Sequence, residues 1–366
     1  MPIIQLQPHP ITSLPHHPDL ETGGPSRPLQ EHIRATLEEA HEILESLPSD
    51  LKAESKLRKS PPSDAKVKLS QGWRTPLHSD PNAQKEYWVS RESEHEDSSR
   101  SNGSATWQEF QNGLHQDHAY HEMEYTPSVT RVVQLFNWAE GEDDHLDQDI
   151  NIKNTRYKQF DVQLFLIIHT FNPSRLIHPR AFLSFTISAT TQNLLAPDHN
   201  TPNTRHPTEG FITIQVPYSI DNPGPNPAFV DYQYHGLYSR ITSNIPPRTV
   251  FAHYASIERV ELLVLPTGRS MSISGQGEGV GEGGGELGIT TPSTLNTPAS
   301  STGRRVKWTM ATTSDAGGKI PGWVQRSWML GGIPKAVVAD VGLFIGWVIK
   351  RRRVRDVRQE KHEEER

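Results

Sequence analysis

The segment VKWTMATTSDAGGKIPGWVQRSWMLGGIPKAVVADVGLFIGWVI, residues 306–349, reads as a strand, a tight turn and an apolar helix with little irregular sequence between them. Val306, Trp308, Met310 and Thr312 alternate with Lys307, Thr309, Ala311 and Thr313, the period of a strand with one sheltered face. Ser314-Asp315-Ala316-Gly317-Gly318 ends it, because an Asp bonds nearby amides and glycine tolerates positive φ. Pro321 suits a first helical turn, so a helix is expected over Gly322 to Leu330, interrupted at Gly331-Gly332 and restarted at Pro334. At 100° per residue, Val337, Val338, Val341, Phe344, Ile345, Val348 and Ile349 share one face, with Lys335, Ala339, Asp340, Gly342, Gly346 and Lys350 opposite. Leu343 and Trp347 lie off the apolar stripe.

Trp308 to Thr312, Ser314 to Pro321 and the helix through Trp347 resemble the C-terminal end of START-related domains, nearest to an uncharacterised family of fungal START-like proteins. Three upstream pieces fit the same family in order: Trp88 to Asp97, Trp107-Gln108-Glu109-Phe110 through Tyr125-Thr126-Pro127, and His178-Pro179-Arg180-Ala181-Phe182. The resemblance implies an α+β helix-grip fold, a curved antiparallel sheet wrapped around a long C-terminal helix, with a cavity for a lipid or other hydrophobic small molecule.

Composition narrows the alternatives. The chain of 366 residues has 29 prolines and a hydrophobic fraction of 34%, which predicts one modest core with long polar insertions. It has no cysteine, which excludes disulfides, thiol catalysis and cysteine metal sites and points to a reducing, cytoplasmic setting. A formal charge of −6 gives no drive toward nucleic acid. Residues 1–27 are rich in Pro and His without a signal-peptide core and are expected to be a disordered leader. The apolar run Ala336 to Ile349 is short for a membrane span of about 20 residues and contains Asp340. Gly342 and Gly346 nevertheless form a small-xxx-small pair followed by a basic cluster, as in a stop-transfer pattern, while the oily helix face with Arg351, Arg352 and Arg353 suggests a peripheral membrane contact as the main alternative to a span.

The START-like domain is expected over residues 28–349, followed by a charged tail at 350–366. Leu29, Ile33, Leu37, Ala40, Leu44 and Leu47 predict an amphipathic helix between Pro28 and Pro48. Residues 50–71 read as a linker. Thr106-Trp107-Gln108-Glu109 has the form of a capping box, so a second helix starts at Trp107. Strands are expected at Tyr157–Thr170, Arg180–Ala189, Gly210–Val216, Asp231–Ile241 and Val250–Leu265. The Gly-, Ser- and Thr-rich stretch 266–303 reads as a disordered insertion.

Phe165, Ile167, Asp161, Gln163 and His169 share one face of their strand, with Val162, Leu164, Leu166 and Ile168 on the other. The residues alone favour an ordinary packed sheet; the resemblance shifts the expectation to a ligand cavity. Phe165, Ile167, Trp308 and Met310 are then expected to line its walls, and Val341, Phe344, Ile345 and Val348 its lid. Arg180 or His169 would orient a polar head; the residues alone read Arg180 as an exposed arginine or as the partner of an acid such as Glu258. His115, His118 and His121, three apart, string along a helix instead of converging on one ion, so no metal or other cofactor is expected. A non-catalytic binding domain is the main expectation. The rival is a helix-grip enzyme, a cyclase or hydratase on an apolar substrate, which requires a paired acid and base in the cavity such as Asp161 with His169. A membrane-attached adaptor is the third.

Overall fold

A computed structural model describes residues 2–17, 28–80, 82–140, 146, 148–171, 177–195, 205–220, 235–264 and 303–364. Its centre is one large sheet. The main strands are β4 (Lys66–Arg74), β5 (Glu86–Glu96), β6 (Val129–Asn137), β8 (Thr155–His169), β9 (Arg180–Asn193), β10 (His206–Ser219), β12 (His253–Val264) and β13 (Arg305–Asp315). They lie in the order β4-β5-β13-β12-β10-β9-β8-β6, and each neighbouring pair is antiparallel. The short strands β1 (His9–Pro10), β2 (Lys52–Ala53), β3 (Arg58–Lys59), β7 (Ile150–Ile152) and β11 (Val250–Phe251) extend it at its margins. The sheet grips a C-terminal helix, the α+β helix-grip arrangement.

Both faces are covered, which explains why β8 shows no solvent-facing alternation. Val162, Leu164, Leu166 and Ile168 point to one side, where they join the apolar stripe of helix α1 (Leu29–Asp50) through Ile33, Leu37, Ala40 and Ile43. The N-terminus completes this layer. Ile3, Ile4, Ile11 and Leu14 are buried, the amides of Ile3 and Ile4 donate to the Glu39 carboxylate at 2.8 and 2.9 Å, and β1 pairs in parallel with β10. The expected disordered leader is therefore corrected for residues 2–17: few as its aliphatic residues are, a buried carboxylate holds their backbone. Residues 18–27 lie outside the described residues.

The other face packs on helices α2 (Trp107–Leu114), α3 (His118–Tyr125) and, after α4 (His235–Asn244) and the short α5 (Gly322–Gln325), on the long α6 (Ile333–Glu364). Val341, Phe344, Ile345 and Val348 of α6 meet Phe110 of α2 and Val67, Val89, Phe211 and Val260 of four different strands. The capping box forms as the spacing predicts: Thr106 accepts from the Glu109 amide at 3.2 Å while Glu109 accepts from the Thr106 amide at 2.8 Å. Residues 50–71 are not a linker. They supply β2, β3 and the start of β4, and Ser60 donates to the Val338 carbonyl of α6 at 2.6 Å and accepts from the Gly342 amide at 2.8 Å. Gly342 permits that approach, since a Cβ there would stand 2.4 Å from the Pro61 carbonyl oxygen.

Other expectations change as well. Within Asp231–Ile241 the described part is helical, belonging to α4, because Leu237 and Ile241 bury at helical spacing. The helix expected over Gly322 to Leu330 stops at Gln325, whose side chain turns back to donate to Asp315 and Ile320 and to accept from the Ala316 amide. The charged tail is not separate: α6 runs through it to Glu364, roughly 48 Å at 1.5 Å per residue. No helix among the described residues is long and apolar enough to cross a membrane. The expected insertion at 266–303 lies outside the described residues except for Gly303.

Candidate functional site

A cavity of about 420 Å³ opens between the sheet, α3 and the first turns of α6. Its outer part is apolar, built from Phe171, Ile177, Ile320, Val324, Leu330 and Ile333. The rim segment formed by α5 and the chain leading to α6 leaves Trp323, Met329 and Leu330 64, 86 and 57% exposed. It is anchored by a turn at the end of β13, where Asp315 accepts from the Gly317 amide at 2.9 Å and Gly317 adopts φ +63°. A Cβ at Gly317 would lie 2.6 Å from the Phe251 carbonyl oxygen, so this turn needs glycine for conformation and for space.

The inner part is polar and charged. Glu258 on β12 is its hub: its Oε1 accepts from Trp308 Nε1 at 2.7 Å and from Arg91 Nη2 at 3.2 Å, and its Oε2 lies 3.8 Å from His118 Nε2. The Arg91 guanidinium sits 3.9 Å above the Trp308 ring and is 1% exposed. Beside this cluster Gln215 donates to the Tyr254 hydroxyl at 2.8 Å and accepts from Ser256 at 2.6 Å. Glu122 and Asp340 also line the cavity, and neither carboxylate has a hydrogen bond or ion pair among the described residues. Burial, then the charges of Asp340 and Glu258, push Glu122 up to about 8. Burial also pushes Asp340 up to about 6, with Arg91 opposing the rise.

Of the ten residues expected at the site, the structure brings four to the cavity: His169, Arg180, Trp308 and Met310. His169 has its ring nitrogen 3.2 Å from Ser128 Oγ and is pushed down to about 4 by burial. Arg180 donates to the carbonyls of Ala316 and His178, both at 2.5 Å, so it ties the rim turn to β9; Glu258 pairs with Arg91 instead. Phe165 and Ile167 do not line the cavity, because α3 covers them with Ala119 and Tyr120. Val341, Phe344, Ile345 and Val348 are not the lid residues either; they are sealed in the core against α2. The side of α6 that meets the cavity carries Ile333, Ala336, Val337 and Asp340, which corrects the placement of Asp340 on an outward polar face.

The acid–base pair of Asp161 with His169 does not form: Asp161 accepts from Gln163 at 2.7 Å and lies outside the cavity lining. The cavity instead holds paired titratable groups that were not anticipated, Arg91, Glu258 and His118. Their signal was in the sequence. Arg91 shares its strand face with Val89 and Ser93 on β5, and Glu258 with Ser256, Val260 and Leu262 on β12, so each placed a charge on an inward face. His115, His118 and His121 have separate surroundings: Phe211 at 5.1 Å, Glu258, and Trp347 at 5.2 Å. The basic cluster is partly structural. Arg352 donates to Glu109 at 2.7 Å and to the carbonyls of Ser98, Ser99 and Ser101, and Arg351 stands over the Trp347 ring at 4.6 Å.

Comparison with solved structures finds the crystal structure of human STARD10, 10% identical with a TM-score of 0.37 over 86% of this chain and 81% of that one. It also finds human StAR-related lipid transfer protein 5, 11% identical with a TM-score of 0.34 over 88% of this chain and 98% of that one. No curated protein matches the sequence. Residues 88–348, from the Trp88 strand to the last buried turn of α6, match the family profile described as protein of unknown function (DUF3074), and the chain belongs to that family.

Proposed function

We propose that this protein binds a lipid or other hydrophobic small molecule in the cavity between β13, α3 and α6, and passes it to and from a membrane surface. The observation that carries the reading is the cavity itself, whose volume lies within the range of small-molecule sites and whose apolar outer part leads to a few convergent polar groups. Denaturing extraction of purified protein followed by mass spectrometry is expected to recover a stoichiometric apolar compound. Met310→Trp, which fills the cavity from its wall, should abolish that recovery while the protein stays folded. Equal recovery from the filled variant would refute the cavity as the binding site.

Exchange with a membrane is assigned to the rim. Trp323, Met329 and Leu330 are exposed beside the opening, with Lys319, Arg326 and Lys335 close in sequence, a combination suited to an anionic interface. Replacing the three apolar residues with Ser should reduce flotation with phosphatidylserine-containing vesicles. The Arg351, Arg352 and Arg353 cluster contributes less, since Arg352 is spent on Glu109.

An enzyme is the second reading, favoured by a cavity carboxylate, Glu122, that holds its proton near neutral pH and faces titratable neighbours. Prolonged incubation with an excess of the recovered compound decides between them. A product formed by the wild type and not by Glu122→Gln supports catalysis; recovery of unchanged compound supports binding alone.

A further inference from the structure

We infer that the ligand carries a positively charged nitrogen at its polar end, held between Glu122 and Asp340; the inference rests on the binding reading above. The cavity lining contains three carboxylates, Glu122, Glu258 and Asp340, and two guanidiniums, Arg91 and Arg180. Arg180 donates to two backbone carbonyls at the rim turn, and Arg91, 1% exposed, stacks on Trp308 and pairs with Glu258 through one nitrogen, its Nε and Nη1 buried without a hydrogen-bond partner. Glu122 and Asp340 are left facing the empty space without a donor among the described residues.

Two enclosed carboxylates that also repel one another are unfavourable as anions, and a cation between them relieves both burial and repulsion. The surrounding side chains agree with that charge. Tyr125, Tyr254 and Phe182 present aromatic rings around the same inner space, and ring faces attract cations. A carboxylate or phosphate head would meet Glu122 and Asp340, while Arg91, whose charge acts on Asp340, is buried and already paired with Glu258. Ammonium donors would instead satisfy both carboxylates through charge-assisted hydrogen bonds, with the hydrocarbon chain lying along Ile333, Val337 and the outer apolar wall.

The test compares three probes of equal chain length, dodecylamine, dodecanol and dodecanoic acid, each below its micellar concentration, by calorimetry on the full-length protein. Dodecylamine should bind at least tenfold tighter than the other two. In Glu122→Gln/Asp340→Asn, with folding checked by thermal melting, that preference should vanish. Dodecanol or dodecanoic acid binding as tightly as the amine to the wild type would overturn the inference and leave the binding reading standing. So would an amine preference that survives in the double variant. Failure of all three probes to bind would overturn the binding reading and the inference with it.

Discussion

Removing the Glu258 carboxylate should damage the fold more than removing its partner Arg91, because the two side chains differ in what they can do when left alone. Glu258 and Arg91 are 8 and 1% exposed at their side chains and 3.2 Å apart. After Glu258→Ala, the guanidinium remains buried, cannot shed its proton, and loses its one carboxylate within hydrogen-bond range among the described residues; Trp308 Nε1 loses its acceptor as well. Breaking a buried pair in this way costs about 3–5 kcal/mol. After Arg91→Met, which keeps much of the volume, Glu258 still accepts from Trp308 and still lies beside His118, so the cost falls to about 1–3 kcal/mol. Arg91→Met/Glu258→Leu leaves no orphaned charge and should be more stable than Glu258→Ala alone. Urea unfolding of the three variants at neutral pH measures this directly. Equal losses in the two single variants, or strict additivity in the double variant, would show that the ion pair is not the hub described here.

The pH profile should carry the signature of the cavity. Glu122, pushed up to about 8, keeps its proton in the fold after the unfolded chain has lost it near 4.5, so its contribution is full in acid and lost as pH rises toward 8. His115 and His169, pushed down to about 4 by burial, act in the opposite sense: their contribution is present above 6.5 and lost on acidification. Between pH 6.5 and 8 stability should therefore fall, by at most about 1.4 kcal/mol per pH unit, and Glu122→Gln should flatten that slope in urea melts repeated across the range. Thr106→Ala removes the cap on α2 and should cost about 1 kcal/mol by the same assay. Gly342→Ala forces a methyl against the carbonyls of Ser60 and Pro61 and should cost about 1–3 kcal/mol, while Gly346→Ala, whose Cβ would meet Pro62 only at ordinary contact distance, should be close to neutral.

Elements with strong local period were legible in the sequence. The α1 stripe, the α2 capping box, β13 and its Asp315 turn, and the apolar face of α6 all depend on neighbours within a few residues. The 231–241 region misled because alternation of Tyr with polar residues mimics a strand, whereas tertiary burial of Leu237 and Ile241 selects a helix. The N-terminus misled for a different reason: what orders it is a carboxylate 35 residues away, which no local pattern reveals. At the site, Trp308 and Met310 were found by alternation. Phe165 and Ile167 were placed on the correct strand face, but the sequence does not say where along that face α3 ends and the cavity begins. For α6 the largest apolar side chains seal the core, and the cavity receives the smaller neighbouring strip that a wheel dominated by Phe and Ile conceals.

The hairpin of β12 and β13 has two unlike ends. At one, His253 pairs with Asp315 and the chain runs into the rim turn; at the other, Leu263 pairs with Arg305, about ten residues away along each strand. Leu263 and Arg305 thus stand side by side at the end of the hairpin remote from the opening. That end is a natural port for engineering: a fluorescent or affinity module spliced there would have its two termini held side by side by the existing ladder, as a domain insertion requires. A module carried there would leave the residues that line the cavity unaltered.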